Sequence, residues 1–226
     1  MAQFDRLTVL NTIVHDALVP LFYDRSLDVA QQTASAIGRG GGHLLEFTNR
    51  GDFAIEIFSA LVKHSLKVNP DLIIGVGSVE DAPTAALFIA HGANFVVGPS
   101  FDVDTARLCN RHKIAYLPGC ATVTEIATAE EWGVEIVKIF PGETIGGPDF
   151  VKAVLGPRPW SKLMPTGGVT PDADNLRAWY SAGVVAVGMG SKLIPSDWLK
   201  TGNFDALQES IRTTLQTIRS IRSEKR

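Results

Sequence analysis

The sequence predicts an α/β fold, a single (β/α)8 TIM barrel with an N-terminal helix, and three observations predict it. Short apolar runs recur along the chain, each followed by a small or polar loop and then a longer amphipathic stretch, which is the alternation of βα units. The runs start roughly 19 to 29 residues apart, the length of a strand plus a crossover helix. Several are entered through a glycine placed to stop the preceding helix, at Gly92, Gly133 and Gly183.

In chain order, residues 1–17 supply the N-terminal helix and 18–200 the barrel. Strands are predicted at 18–23, 43–48, 72–76, 95–97, 115–117, 134–140, 163–165 and 184–187, and residues 201–226 form a C-terminal helix. Eight parallel strands separated by helices can close on themselves, and 226 residues is lean for that fold, so 1–226 is read as one domain. An open doubly wound sheet is the alternative. It asks for Gly-x-Gly-x-x-Gly between a strand and a helix, because the pyrophosphate must approach the backbone there. The glycine-rich stretch 38–42 follows a helix and leads into a strand, the reverse context, and reads as a loop at the far end of the sheet. Gly75-Val76-Gly77-Ser78-Val79-Glu80 has the right context but puts Glu80 where the third glycine belongs, and the dinucleotide reading is rejected.

Composition narrows the function classes. A chain that is 45% hydrophobic and 20% charged can bury a core, which excludes disorder. Its net charge of -3 offers no basic footprint for nucleic acid, since phosphate neutralisation takes clustered Lys and Arg. Cys109 and Cys120 stand in no CxxC spacing and beside no His pair, which argues against a disulfide framework and a zinc site and for a cytoplasmic setting. Asp5, Arg6, His15 and Asp16 interrupt the N-terminal apolar positions, so no signal peptide is expected there, and no apolar run is long enough to span a bilayer. No histidine has another at a ligand spacing, and Asp102 with Asp104 reads as the capped first turn of a helix, so neither metal nor cofactor is expected. Arg212, Arg219, Arg222, Lys225 and Arg226 alternate with apolar residues and read as a solvated helix face with a frayed end.

A parallel barrel keeps its active site at the carboxyl ends of its strands, and two ionisable residues stand out there. In Leu44-Leu45-Glu46-Phe47-Thr48 the strand period puts Leu44, Glu46 and Thr48 on one face and Leu45 and Phe47 on the other, so Glu46 points inward. In Ile136-Val137-Lys138-Ile139-Phe140 the same period turns Lys138 inward with Ile136 and Phe140. The second and sixth strands are both even and share an interior layer, which lets the long lysine reach toward the carboxylate. Desolvation disfavours its ammonium form and leaves a nucleophilic amine suited to Schiff-base chemistry, with Glu46 as proton shuttle. The competing reading is a structural buried ion pair, which is costly and seldom retained for stability alone. Thr166-Gly167-Gly168 and Gly188-Met189-Gly190-Ser191 follow the seventh and eighth strands, where glycines let the backbone close around a phosphate or similar anion. Arg50 and Ser78 stand where they can hold a carboxylate.

On these motifs the chain resembles the class I aldolases that cleave 2-keto-3-deoxy-6-phosphogluconate (KDPG) and 4-hydroxy-2-oxoglutarate (KHG), from about residue 18 to 191. The first signature, a glycine and then Glu-x-Thr-x-Arg, is met by Gly41, Glu46, Thr48 and Arg50, and the second by Gly133, Lys138, Phe140, Pro141 and Gly146. The resemblance implies Lys138 as Schiff-base lysine, Glu46 as proton-transfer residue, Arg50 and Ser78 as pyruvate-carboxylate contacts, and Pro99 as an active-site proline. It implies phosphate loops at Gly167, Gly168, Gly190 and Ser191, with Thr48, Phe140 and Thr166 also lining the substrate site. It further implies a phosphorylated 2-keto acid substrate, pyruvate as product, no nucleic-acid or membrane partner, and a homotrimer. Ser78 stands where the family usually has Thr, and Tyr23 where some members have a phosphate-contacting Arg. Those departures leave three alternatives: the galactonate epimer, KHG itself, or a barrel that only binds a sugar phosphate.

Overall fold

The computed structural model describes residues 2–224, and Lys225 and Arg226 of the basic C-terminal stretch lie outside them. The chain opens with α1 (Arg6–Asp16), then runs β1 (Leu18–Phe22), α2 (Leu27–Arg39), β2 (Leu44–Thr48), α3 (Ala54–Val68), β3 (Ile73–Gly77), α4 (Ala82–Ala90) and β4 (Phe95–Val97). It continues through α5 (Val103–His112), β5 (Ala115–Leu117), β6 (Gly119–Cys120), α6 (Val123–Glu131), β7 (Val137–Ile139), α7 (Gly147–Leu155) and β8 (Leu163–Pro165). It closes with α8 (Ala173–Ala182), β9 (Val187–Met189), α9 (Ser196–Thr201) and α10 (Phe204–Ser223). The helix starts are written in the sequence. Asp5, Ser26, Asp81, Asp102, Thr122 and Asp172 each accept a backbone N–H of the first turn, satisfying donors that have no intrahelical partner. Asp102 is therefore a cap, as its spacing suggests, while Asp104 pairs with Arg107 at 2.7 Å. Gly92, Gly133 and Gly183 all take positive φ, the left-handed stop expected of them.

All strand pairings are parallel, and they form two sheets, a six-stranded one in the order β5-β4-β3-β2-β1-β9 and a three-stranded one in the order β6-β7-β8. The sheets meet along two seams. At one, Thr166 bridges Gly188 and Val185 N donates to Leu163 O at 3.0 Å. At the other, the predicted fifth strand is present as β5, and the short β6 follows it across Pro118, which has no N–H to give a ladder, just where the chain changes partner from β4 to β7. Two predictions need correction. The strand read at 134–140 is paired only over Val137–Ile139, because its neighbour β8 starts at Leu163 and takes Val137 N through Lys162 O at 2.9 Å. The strand read at 184–187 lies three residues later, over Val187–Met189, where β1 offers its edge, so Gly188 and Met189 belong to a strand rather than a loop. Gly38 likewise lies in the last turn of α2, and the loop into β2 is confined to residues 40–43.

Strand alternation sorts the apolar side chains into two layers. Leu44, Ile73, Phe95, Leu117 and Met164 form an inner core drawn from both sheets, and Val9, Leu10 and Ile13 of α1 plug it from the amino ends of the strands. Leu45, Phe47, Ile74, Val137 and Ile139 face the other way, against Phe58, Phe88 and Trp179 of the helices. Each such fully buried side chain contributes about 1.5–3 kcal/mol by leaving water. Among the described residues no helix is long and apolar enough to cross a membrane.

Candidate active site

Glu46 and Lys138 are the two buried ionisable side chains at the inner face of the strands, 2% and 6% exposed. Their flanking residues put them there: Leu45 and Phe47 on β2, and Val137 and Ile139 on β7, occupy the outer layer, so the residues between them turn inward. The carboxylate and the amine attract each other through space without forming an ion pair. Desolvation lowers the Lys138 pKa from the ordinary lysine value, the nearby Glu46 charge opposes that, and Arg50 reinforces it. Desolvation raises the Glu46 pKa against the opposing pull of Lys138 and Arg50. Burial thus drives both groups toward their neutral forms, and a neutral amine is a nucleophile. The Lys138 Nζ sits 4.7 Å from the ring centroid of Phe140, two residues along the chain.

The strand beside Glu46 is cut back to make room for it. Gly75 and Gly77 occupy the inward positions of β3, with Gly75 in register with Glu46 and Gly77 with Thr48. A Cβ on Gly75 would meet the Phe95 ring at 2.4 Å, and one on Gly77 would meet Glu46 Oε1 at 1.8 Å. Immediately beyond, Ser78 adopts φ +58 and its Oγ accepts from Arg50 Nε at 3.4 Å, which joins the two predicted carboxylate contacts. A β-branched threonine would be strained in that left-handed conformation, which gives a backbone reason for serine here.

A cavity of about 490 Å³ opens at the carboxyl ends of the strands. Of the predicted site residues, Thr48, Arg50, Phe140, Thr166, Gly167, Gly168, Gly190 and Ser191 line it. Glu46, Lys138, Ser78 and Pro99 do not, and Pro99 leaves β4 with its carbonyl packed toward Gly119, where a Cβ would come within 2.1 Å of that oxygen. The Thr48 hydroxyl donates to Phe22 O at 3.3 Å, so its first duty is to brace β2 against β1. The loop after β7 supports the loop after β8, with Gly142 N donating to Thr166 O at 2.9 Å and Glu143 N to Gly167 O at 3.1 Å.

Glu46 Oε2 and, on the cavity wall, Thr166 Oγ1 are buried without a hydrogen-bond partner among the described residues. Leaving such a group unpaired costs about 1–3 kcal/mol, so each calls for a reason other than stability. Sequence reasoning missed Lys192. This cation lines the cavity beside Ser191 and forms no ion pair or hydrogen bond among the described residues, and its position directly after Gly-x-Gly-Ser was the available signal. Tyr23 also lines the cavity, held against Phe47 with ring centroids 5.7 Å apart. Among the described residues no Asp or Glu lines it, and its two cations stand on different loops, Arg50 after β2 and Lys192 after β9.

Comparison with known proteins bears on this geometry. Residues 9–210 match the family described as KDPG and KHG aldolase. A 2-dehydro-3-deoxy-phosphogluconate aldolase of Pseudoalteromonas atlantica is 32% identical over 192 residues, covering 85% of this chain and 86% of the relative. The KHG/KDPG aldolase of Escherichia coli is 29% identical over 199 residues, covering 88% and 91%. Among solved structures, the KDPG aldolase of Legionella pneumophila, with pyruvate captured as a covalent carbinolamine intermediate, superposes with a TM-score of 0.81 at 28% identity, covering 90% of this chain and 97% of that one.

Proposed function

Since the chain belongs to the KDPG and KHG aldolase family, we propose that it is a metal-independent class I aldolase that cleaves KDPG to pyruvate and glyceraldehyde 3-phosphate through a Schiff base on Lys138. The observation that carries this reading is the buried Glu46 and Lys138 pair, held apart rather than joined and each shifted toward its neutral form.

The chemistry follows from that arrangement. The neutral Lys138 amine attacks the C2 ketone of the substrate, giving a carbinolamine, and loss of water leaves a protonated imine. Glu46, directly or through a water, supplies the proton that carries the oxygen away. As a carboxylate it then takes the proton of the C4 hydroxyl. The C3–C4 bond breaks, its electron pair moves into the C2–C3 bond as an enamine with the imine nitrogen as sink, and the aldehyde departs. Protonation of the enamine at C3 and hydrolysis of the imine release pyruvate and restore the lysine. Arg50, with Ser78 behind it, holds the C1 carboxylate, and Thr48 and Phe140 complete the walls around the pyruvyl half. Thr166, Gly167, Gly168, Gly190 and Ser191 receive the phosphate end.

Lys192 favours KDPG over KHG, because a cation after β9 whose side chain has no partner among the described residues matches a phosphate at the far end of the substrate. The galactonate epimer of the substrate presents the same two anionic ends and is the second reading. The two sheets then close into a (β/α)8 barrel over residues 18–200, within one domain of 226 residues. The two seams and the shared inner core support that closure. A homotrimer in the cytoplasm completes it. The family resemblance supports the trimer, and Cys109 and Cys120, both free and buried, fit a reducing setting.

Incubation with pyruvate and borohydride, followed by intact-mass measurement and peptide mapping, tests the reading. A reduced pyruvyl adduct on Lys138 is expected. An enzyme that binds pyruvate and forms no adduct is a binding barrel instead.

A further inference from the structure

A second and larger cavity, about 750 Å³, lies at the other end of the strands. It is bounded by the last turns of α1 and α10, by the end of α8 and by the residue that enters β8. Its wall carries Lys162, Arg219, Arg222 and His15 and, among the described residues, no carboxylate. In a chain of net charge -3 such a concentration of one sign is not background.

The partners of these groups show which charges are spare. Arg222 Nη1 donates to His15 O at 3.0 Å, which occupies it at the carboxyl end of α1, where a cation complements the helix dipole. The His15 ring pairs with the buried Asp16 at 2.9 Å, and Asp16 is shared with His43. Glu224, the nearest acid along α10, is taken by Arg177. Among the described residues the side chains of Lys162 and Arg219 form no ion pair or hydrogen bond, and neither residue stands in the last turn of a helix. The Tyr180 side chain forms part of the cavity wall, its hydroxyl donating to Ala17 O at 2.5 Å.

From this juxtaposition we infer that the cavity between α1, α8 and α10 is a second anion site, separate from the aldolase centre, that takes a ligand with two or more negative charges through Lys162, Arg219 and Arg222. The ligand is a phosphate-bearing or polycarboxylate metabolite, both of which present clustered oxygens to guanidinium and ammonium donors. The C-terminal basic stretch, which the sequence presents as a solvated helix face, thereby acquires a purpose for Arg219 and Arg222.

Calorimetric titration of the full chain at constant ionic strength tests this, with inorganic pyrophosphate and citrate as separate probes. Three forms are compared: the native protein; Ser191→Asp, which sets a carboxylate in the upper cavity to exclude anions there; and the double glutamine form, Lys162→Gln/Arg219→Gln made on the Ser191→Asp background. Binding is expected to survive Ser191→Asp and to weaken about tenfold or more in the double glutamine form, as expected for lost charged hydrogen bonds. Lys162→Arg/Arg219→Lys should retain it, which separates loss of charge from loss of structure, and thermal melting verifies the fold of each form. Preference for pyrophosphate identifies a phosphate-bearing ligand, and preference for citrate a polycarboxylate. No binding by the native protein, native affinity in the double glutamine form, or complete loss in Ser191→Asp overturns the inference.

Discussion

Gly77 is shaped by Glu46: a Cβ at position 77 would lie 1.8 Å from Oε1 of the glutamate, on the strand next door. Even a single added methyl group is therefore transmitted straight to the carboxylate proposed to transfer protons. Gly77→Ala should fold, because the obstacle is the end of a flexible side chain rather than backbone. It should nevertheless lose about a hundredfold in kcat/KM, the cost typical of an ångström-scale misplacement. Steady-state kinetics with circular dichroism on the same sample checks this, and native turnover in the variant would show that Glu46 has room to spare.

The coupling between Glu46 and Lys138 predicts a pH effect of definite sign. The glutamate charge raises the lysine pKa, against desolvation and Arg50, which lower it. Glu46→Gln removes the one influence that favours the ammonium form, so the lysine pKa should fall further. Imine formation needs the neutral amine and rises as pH passes upward through that pKa. The pH profile of borohydride trapping with pyruvate should therefore move to lower pH in Glu46→Gln, even as kcat for cleavage falls by about 10²–10⁴-fold. A profile moved to higher pH contradicts the assignment.

Arg50 and Lys138 should separate binding from chemistry. Lys138→Ala removes the nucleophile and should abolish turnover and adduct formation alike. Arg50→Ala should chiefly raise KM, by a loss of about 1.5–3 kcal/mol for a charge-assisted contact, with kcat changed less. Equal and small losses in the two variants count against both roles.

Lys192 should discriminate between substrates. Lys192→Ala should raise KM for a phosphorylated 2-keto acid about tenfold or more and leave cleavage of an unphosphorylated one near its native value. Parallel measurements on the two substrate types decide the point, and equal effects on both would move the distal anion contact elsewhere.

Asp16 offers a test of stability rather than activity. Its carboxylate, 1% exposed, accepts from His43 N at 3.0 Å and meets the ring nitrogens of His43 and His15 at 2.9 Å each, which ties α1 to the start of β2. Asp16→Ala leaves the part-buried His43 N–H without its partner and unties α1 from β2, and should destabilise the fold by about 1–2 kcal/mol in a denaturant titration.

How much of the molecule is legible in its sequence depends on whether the signal is local. The inward aim of Glu46 and Lys138 follows from a period of two over five residues, and the helix caps at Asp102 and Asp172 follow from one residue and its neighbours. Strand limits do not follow, because a strand is only as long as its partner allows: β9 begins at Val187 where β1 begins at Leu18, and no local pattern carries that. Gly75 and Gly77 look like fragments of a phosphate loop. Their meaning, clearance for Phe95 and Glu46, exists only once three strands lie side by side. Lys192 escapes notice because a lysine after a strand is ordinary until the walls of a cavity converge on it.

Glu46 belongs to the six-stranded sheet and Lys138 to the three-stranded one, and Pro118 marks the point where the chain passes between them. Each sheet carries half of the proposed reactive pair, and neither half alone holds both groups. Turnover is accordingly a report on docking: during refolding, catalytic activity marks the moment the two halves meet, however early the strands of either half have formed.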